Sequence, residues 1–288
     1  MNRDPHEARV RALLRAHPEG LQIAEAPFVP VGGGAFNRCW RADTEEGPRF
    51  VRLAGEEARR LGADWDSVLA LLRIASRGGL APVPLLAVPA AGLLVTEYIQ
   101  SRAPADAATA EPARLRQIGG LLRAVHRLAP TAGIRLLDFA TQARRLEAGL
   151  DRDGALETRL EARAAHVFAR LHYGHGDAVP CHNDVHQANI LDDGRRLRLV
   201  DWEYGGIGDP VFDLAGLASH HALGDEGISI VLDGYGSGLD RARLREACWA
   251  YDYVQWLWHR LASRVSGARG SASRAAAETL AIRLVEGD

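Results

Sequence analysis

The strongest constraint on the fold is a change of hydrophobic period near Ser101. Before that point apolar residues fall in short runs broken by glycine and proline, the pattern of strands and turns. Residues 28–31 lead into Gly32-Gly33-Gly34, residues 37–42 read as a returning strand, and residues 49–53, 83–88 and 93–99 read as three more. One helix interrupts them: Val68, Leu71, Leu72 and Ala75 recur at helical spacing over residues 64–76, and Gly78-Gly79 ends the run. After Ser101 the period is helical. Leu115, Ile118, Leu122 and Val125 share a helix face, residues 139–150 and 156–171 keep the period, and Trp249, Tyr253, Trp256 and Leu257 form a long stripe. Residues 103–112 read as a connector and residues 266–273 as a loop before a last helix. The prediction is an α+β chain, with a small antiparallel sheet and one helix in residues 1–100 and a larger, mainly helical lobe in residues 101–288.

At 288 residues the chain can bury a sizeable core. Its 35 basic side chains balance 37 acidic ones for a formal charge of −2, which gives no electrostatic case for a nucleic-acid partner. No apolar run approaches the roughly 20 residues that cross a bilayer. The charged start, Met1 to Arg15, lacks the apolar core of a secretory signal. The expectation is a cytoplasmic protein with no membrane partner, and nothing in the sequence specifies an oligomeric state. Cys39, Cys181 and Cys248 are far apart and form no Cys-x-x-Cys pair, so neither a disulfide framework nor a cysteine zinc site is predicted.

A short hairpin interrupts the helical half: residues 189–191, a turn at Asp192-Asp193-Gly194, then residues 197–200. It sets three polar groups at a fixed rhythm, with Asp184, Asn189 five residues on and Asp201 twelve beyond that. A hairpin returns its end to near its beginning, so the three side chains can converge. Carboxylate and amide oxygens are hard ligands suited to magnesium, and a further carboxylate can take the proton of an alcohol. Phosphoryl transfer needs these groups, because there the protein mainly positions reactants and neutralises phosphate charge.

His182-x-Asp184-x-x-x-x-Asn189 followed by Asp201-x-Glu203 resembles the catalytic loop of the aminoglycoside phosphotransferase and choline kinase superfamily, with matching segments over roughly residues 28 to 260. The strings Cys181-His182-Asn183-Asp184 and Asp201-Trp202-Glu203-Tyr204 are most similar to the choline/ethanolamine kinase and thiamine kinase branches. The resemblance implies a bilobal protein-kinase-like fold, with a nucleotide-binding lobe over residues 1–100 and a catalytic, acceptor-binding lobe over 101–288. It also implies ATP and Mg2+ as cofactors and a small-molecule alcohol as acceptor, cationic ones such as choline included. Asp184 would be the catalytic base, Asn189 and Asp201 would hold magnesium, and Glu203 would serve a second ion or its water shell. Gly33, Gly34 and Asn37 resemble the glycine turn over the nucleotide phosphates. Arg52 stands where most kinases place a phosphate-binding lysine, and backbone groups of Glu97 and Ile99 would meet adenine at the hinge. The helix over residues 64–76 should carry a glutamate facing that cation, but Val68 holds the position and Asp66 is the nearest acid. Gly208 to Ala215 also matches the superfamily, with Asp213 expected to cap the next helix and Asp209 to order the catalytic loop.

Other readings of these residues stay open. His172, His175, His182, Asp184 and His186 could be ligands of a metal-dependent hydrolase, though that leaves Asn189 and Asp201 unexplained. A pseudokinase that binds nucleotide and regulates a partner would ordinarily lose the base or a magnesium ligand, and all three are kept. The aromatic group Trp249, Tyr251, Tyr253, Trp256 and Trp258 cannot point inward as a whole, so one or two rings at most should meet the acceptor, with Asp252 a candidate for added charge. An aminoglycoside or other sugar alcohol is the alternative acceptor.

Overall fold

The computed structural model describes residues 4–32, 36–56, 58, 64–102, 111–151, 154–171, 178–236, 239–266 and 270–286. Gly33, Gly34, His172, His175 and most of the expected connector lie outside them.

Five strands, β1 (Phe28–Val31), β2 (Asn37–Thr44), β3 (Gly47–Ala54), β4 (Pro84–Val88) and β5 (Leu93–Glu97), pair antiparallel in the order β1-β2-β3-β5-β4. Side chains alternate between the two faces of such a sheet. Trp40 lies opposite Val51 and Cys39 opposite Arg52, while Arg52 lies opposite Leu94. Trp40, Ala42, Val51, Leu53, Leu93 and Val95 therefore share one face, and it is buried under Val10, Leu14 and Ile23 of α1 (Pro5–Arg15) and α2 (Leu21–Glu25). The first escaped the sequence reading because its few apolar positions stand among charges, and the second because five residues are too short to show a period. The other face turns Arg52 toward α3 (Trp65–Arg77), whose N-cap Asp64 accepts from the amides of Asp66 and Ser67.

The second half is helical as expected: α4 (Pro112–His126), α5 (Phe139–Glu147), α6 (Ala155–Leu171), α7 (Val211–His220), α8 (Asp225–Tyr235), α9 (Arg241–Val265) and α10 (Ser271–Glu286). The long α9 packs against α5, α6, α7 and α10, which buries Trp249, Tyr251, Tyr253 and Trp256. The last helix starts at Ser271, inside the stretch expected to be loop. Helices α4 and α8 approach closely at Gly119 and Gly234, where an added Cβ would lie 2.3 Å from Val231 O and 2.2 Å from Arg116 O. That approach brings His126, at the end of α4, to Tyr235, at the end of α8.

Two small antiparallel pairs complete the frame. The expected hairpin is β7 (Ile190–Asp192) with β8 (Leu197–Leu199), and β6 (Val179–Cys181) pairs with β9 (Gly206–Gly208). Three-residue strands are too short to show alternation, so β6 and β9 were not legible. No helix among the described residues is long and apolar enough to cross a membrane.

Candidate active site

The loop between β6 and β7 is held by three anchors. Asp213, fully buried in the first turn of α7, accepts from the amide of His182 at 2.9 Å and of Asn183 at 2.6 Å. His182 reaches forward, its Nε2 2.8 Å from the carbonyl of Val200. Asn183 takes a left-handed backbone (φ 64°) and donates its side-chain amide to Tyr204 O at 3.1 Å. A non-glycine residue persists in that conformation only where its surroundings over-determine it, as these bonds do. Asp201, after the hairpin, is left-handed as well (φ 63°) and starts the tight turn Trp202–Tyr204.

This scaffold brings Asp184, Asn189, Asp201 and Glu203 to one cleft of about 780 Å³ between the sheet and the helices. Asn189 Nδ2 donates to Asp184 O at 2.9 Å and to Asp184 Oδ2 at 3.0 Å. The amide nitrogen is thereby engaged, and the amide oxygen is the atom that would be offered to a hard cation. Arg52, buried at 4% exposure, pairs from Nη1 with Asp201 and, at 3.3 Å, with Glu203. Asn37 donates from Nδ2 to Glu203 at 3.3 Å, while its buried Oδ1 has no partner among the described residues. Two carboxylates already sharing one positive group, beside two amide oxygens, suit Mg2+ in donor type. The residues fit the ion: Asn189, Asp201 and Glu203 would hold it.

The electrostatics follow from this crowding. Burial, reinforced by Asp201, pushes the Glu203 carboxyl up to about 7. Burial disfavours the charge on Arg52, yet Asp201 and Glu203 outweigh it and raise its pKa. Asp184 is also desolvated, but the hydrogen bond and charge of His186, whose Nε2 lies 3.5 Å from Asp184 Oδ2, hold it below the usual aspartate range. The pair lifts His186 in return. Removing the imidazole takes away the strongest opposition to burial, with only the weaker contributions of His182 and His220 left, and raises the Asp184 pKa. We therefore expect His186→Ala to move the acid limb of the kcat–pH profile to higher pH, which a rate profile between pH 4 and 8 checks.

Several residues take roles other than those expected. The helix acid proposed for Arg52 is absent, because Asp66 points to solvent at the start of α3 and Asp64 serves as the cap. Asp209 and Asp213 exchange parts: Asp209 accepts from Val211 N at 3.0 Å at the helix start and pairs with Arg243, and Asp213 orders the catalytic loop. Asp252 is bound to Ser219 and Arg283, and it does not line the cleft. Of the five α9 aromatics only Trp258 lines it, and it meets Tyr204 and Phe36 edge-on at 6.3 Å and 6.0 Å. Phe36 and Tyr204 were missed, since neither lies in the aromatic stripe. At the hinge the Glu97 amide donates to Val83 O at 3.0 Å, its carbonyl accepts from Thr96 Oγ1 at 2.9 Å and its carboxylate pairs with Arg198, while Ile99 lines the cleft.

Of the residues expected as hydrolase ligands, His172 and His175 lie outside the described residues and His182 engages Val200 O through Nε2. The metal-like cluster among the described residues, His126, Cys181 and Asp213, is a hydrogen-bonded knot. In it His126 bonds Asp213 at 3.0 Å and Tyr235 at 2.8 Å, and the Cys181 thiol donates to Val179 O.

The phosphotransferase enzyme family model (APH) matches residues 27–247. Among curated proteins, LicA of Haemophilus influenzae is 41% identical over 56 residues, 19% of this chain and 21% of LicA. Thiamine kinase of Shigella boydii is 47% identical over 36 residues, 12% of this chain and 13% of that one. The chain thus aligns with only about a fifth or less of the length of these two relatives. Among solved structures, a choline/ethanolamine kinase family protein of Mesorhizobium loti superposes with a TM-score of 0.79 at 23% identity, covering 97% of this chain and 93% of that one. The choline kinase LicA of Streptococcus pneumoniae gives 0.77 at 19% identity, covering 96% and 99%. These likenesses show a shared fold.

Proposed function

Because the chain belongs to the phosphotransferase enzyme family, we propose that it is an ATP- and magnesium-dependent kinase that moves the γ-phosphate to the hydroxyl of a small molecule. The observation that carries this reading is the convergence of Asp184, Asn189, Asp201 and Glu203 with Arg52 in a single cleft. Residues 1–100 serve as the nucleotide lobe and residues 101–288 as the catalytic and acceptor lobe. Magnesium bound at Asn189, Asp201 and Glu203 would offset phosphate charge. Arg52 supplies a fixed cation for the phosphates, and the hinge at Ile99 meets the base. Asp184 Oδ2 is engaged by Asn189, which leaves Oδ1 to accept the proton of the attacking hydroxyl. Its depressed pKa keeps it ionised, hence competent as a base, across neutral pH.

The acceptor is a cationic alcohol, thiamine or choline/ethanolamine, for which Phe36, Tyr204 and Trp258 offer three ring surfaces in the cleft. Removing the Trp258 ring (Trp258→Ala) should raise the acceptor KM about tenfold and leave ATP affinity unchanged, as initial-rate kinetics would reveal. A sugar alcohol or aminoglycoside is the second reading, favoured by the hydrogen-bonding side chains Gln142, Gln255 and His259 that line the same cleft. An ATP-consumption screen over thiamine, choline, ethanolamine and aminoglycosides tests the proposal. Turnover with one of these alcohols supports it. Intact Mg-ATP binding without turnover of any alcohol would point to a pseudokinase instead.

A further inference from the structure

The helix facing Arg52 carries no acid where one is expected. Val68 fills that position at 2% exposure, Asp64 is occupied as the N-cap of α3, and Asp66 is exposed. Arg52 is nevertheless buried, and a guanidinium taken out of water requires compensation on every side. On the strand and turn side, Nη1 reaches Asp201 and Glu203. Its Nε is buried with no hydrogen-bond partner among the described residues. The helix residue that meets the guanidinium is Trp65. Its ring centroid lies 5.6 Å from Arg52 Cζ, within the range of a cation–π contact. Trp65, Val68 and Leu72 follow one another on a single helix face, and Val68 and Leu72 line the cleft.

We propose that Trp65 is a positioning residue for nucleotide binding, its ring holding the Arg52 guanidinium in the place of the missing helix acid. This rests on the kinase reading, since Arg52 is the phosphate-binding cation only there. The difference from an acid is chemical. A carboxylate at position 68 would orient the guanidinium and cancel its charge, whereas an aromatic face orients it and leaves the full charge directed into the cleft. Asp201 and Glu203 are then its only carboxylate partners among the described residues, and both belong to the metal-side wall. A divalent cation held by Asp201 and Glu203 would take up their charge and loosen their pairing with Arg52, and the guanidinium, still held by the ring, would be left to phosphate.

The test is calorimetric titration of the full chain with Mg-ATP and, separately, with adenosine, in wild type, Trp65→Phe, Trp65→Leu and Trp65→Met. Leu and Met keep an apolar side chain without a π face, and either one suffices if the other fails to fold. The expected result is Mg-ATP binding about tenfold weaker in the ringless variants and within about threefold of wild type in Trp65→Phe. Adenosine, which has no phosphate, should bind all of them alike, and the KM for ATP should rise with kcat changed less than about twofold. Ringless and Phe variants that bind Mg-ATP equally, or adenosine weakened as much as ATP, would overturn the proposal and leave the kinase reading standing. A wild-type protein that binds no Mg-ATP would overturn both.

Discussion

Asp184→Asn is expected to lower kcat by roughly a thousandfold, the middle of the range for removing a general base, while Mg-ATP binds as tightly as before. Asparagine keeps the size of the side chain and can still accept from Asn189 Nδ2, the bond that now fixes the carboxylate at 3.0 Å. What it cannot do is take a proton. Asp184 touches the groups assigned to phosphate and metal only through that Asn189 bond, which asparagine keeps, because Arg52 pairs with Asp201 and Glu203. The loss should therefore appear in kcat and leave nucleotide affinity and the thermal midpoint nearly unchanged. Steady-state rates, a nucleotide titration and a melting curve on the same preparation separate these effects. An unaltered rate of acceptor phosphorylation would remove Asp184 from the role of base.

The second large effect belongs to a residue that touches no reactant. Asp213→Ala should cost on the order of 3–5 kcal/mol of stability, the usual penalty for breaking a buried charged network, and should abolish turnover. The Asp213 carboxylate is fully buried and bonds the amides of His182 and Asn183 and the ring of His126. Burial would raise its pKa, but the hydrogen bond and charge of His126 and the contribution of His182 hold it below the ordinary range. Alanine leaves three buried donors without an acceptor and frees the left-handed Asn183 to relax. The loop that presents Asp184 would lose its geometry even in molecules that stay folded. Chemical denaturation read together with kcat checks both parts. Asp213→Asn, which keeps some acceptor capacity, should be milder on each measure.

The sequence spoke most clearly where chemistry demands a particular residue type at a particular spacing. Asp184, Asn189 and Asp201 were legible as a converging set because a hairpin, marked by Asp192-Asp193-Gly194, had to return the chain, and β7 and β8 do so. The sheet was legible because its buried positions alternate. What escaped were contacts between segments far apart in the chain. Nothing in the local pattern around His126 says that it meets Tyr235 and Asp213, since that meeting depends on the close crossing at Gly119 and Gly234. The exchange of roles between Asp209 and Asp213 has the same origin. Both precede or begin a helix, so capping suits either by sequence, and only the packing of α7 against the loop after β6 decides. The acceptor wall was the least legible part. Trp258 was one of five aromatics on α9, and its neighbours Phe36 and Tyr204 come from a turn after β1 and from the turn after Asp201.

The central claim is transfer of phosphate from ATP to a small alcohol, and 31P NMR of one reaction mixture tests it most directly. With the protein, Mg-ATP and choline, ethanolamine or thiamine together, a new phosphomonoester resonance should grow in step with ADP and vanish when the metal is chelated. ADP accompanied only by inorganic phosphate, or a phosphomonoester formed equally well by Asp184→Asn, would contradict the account.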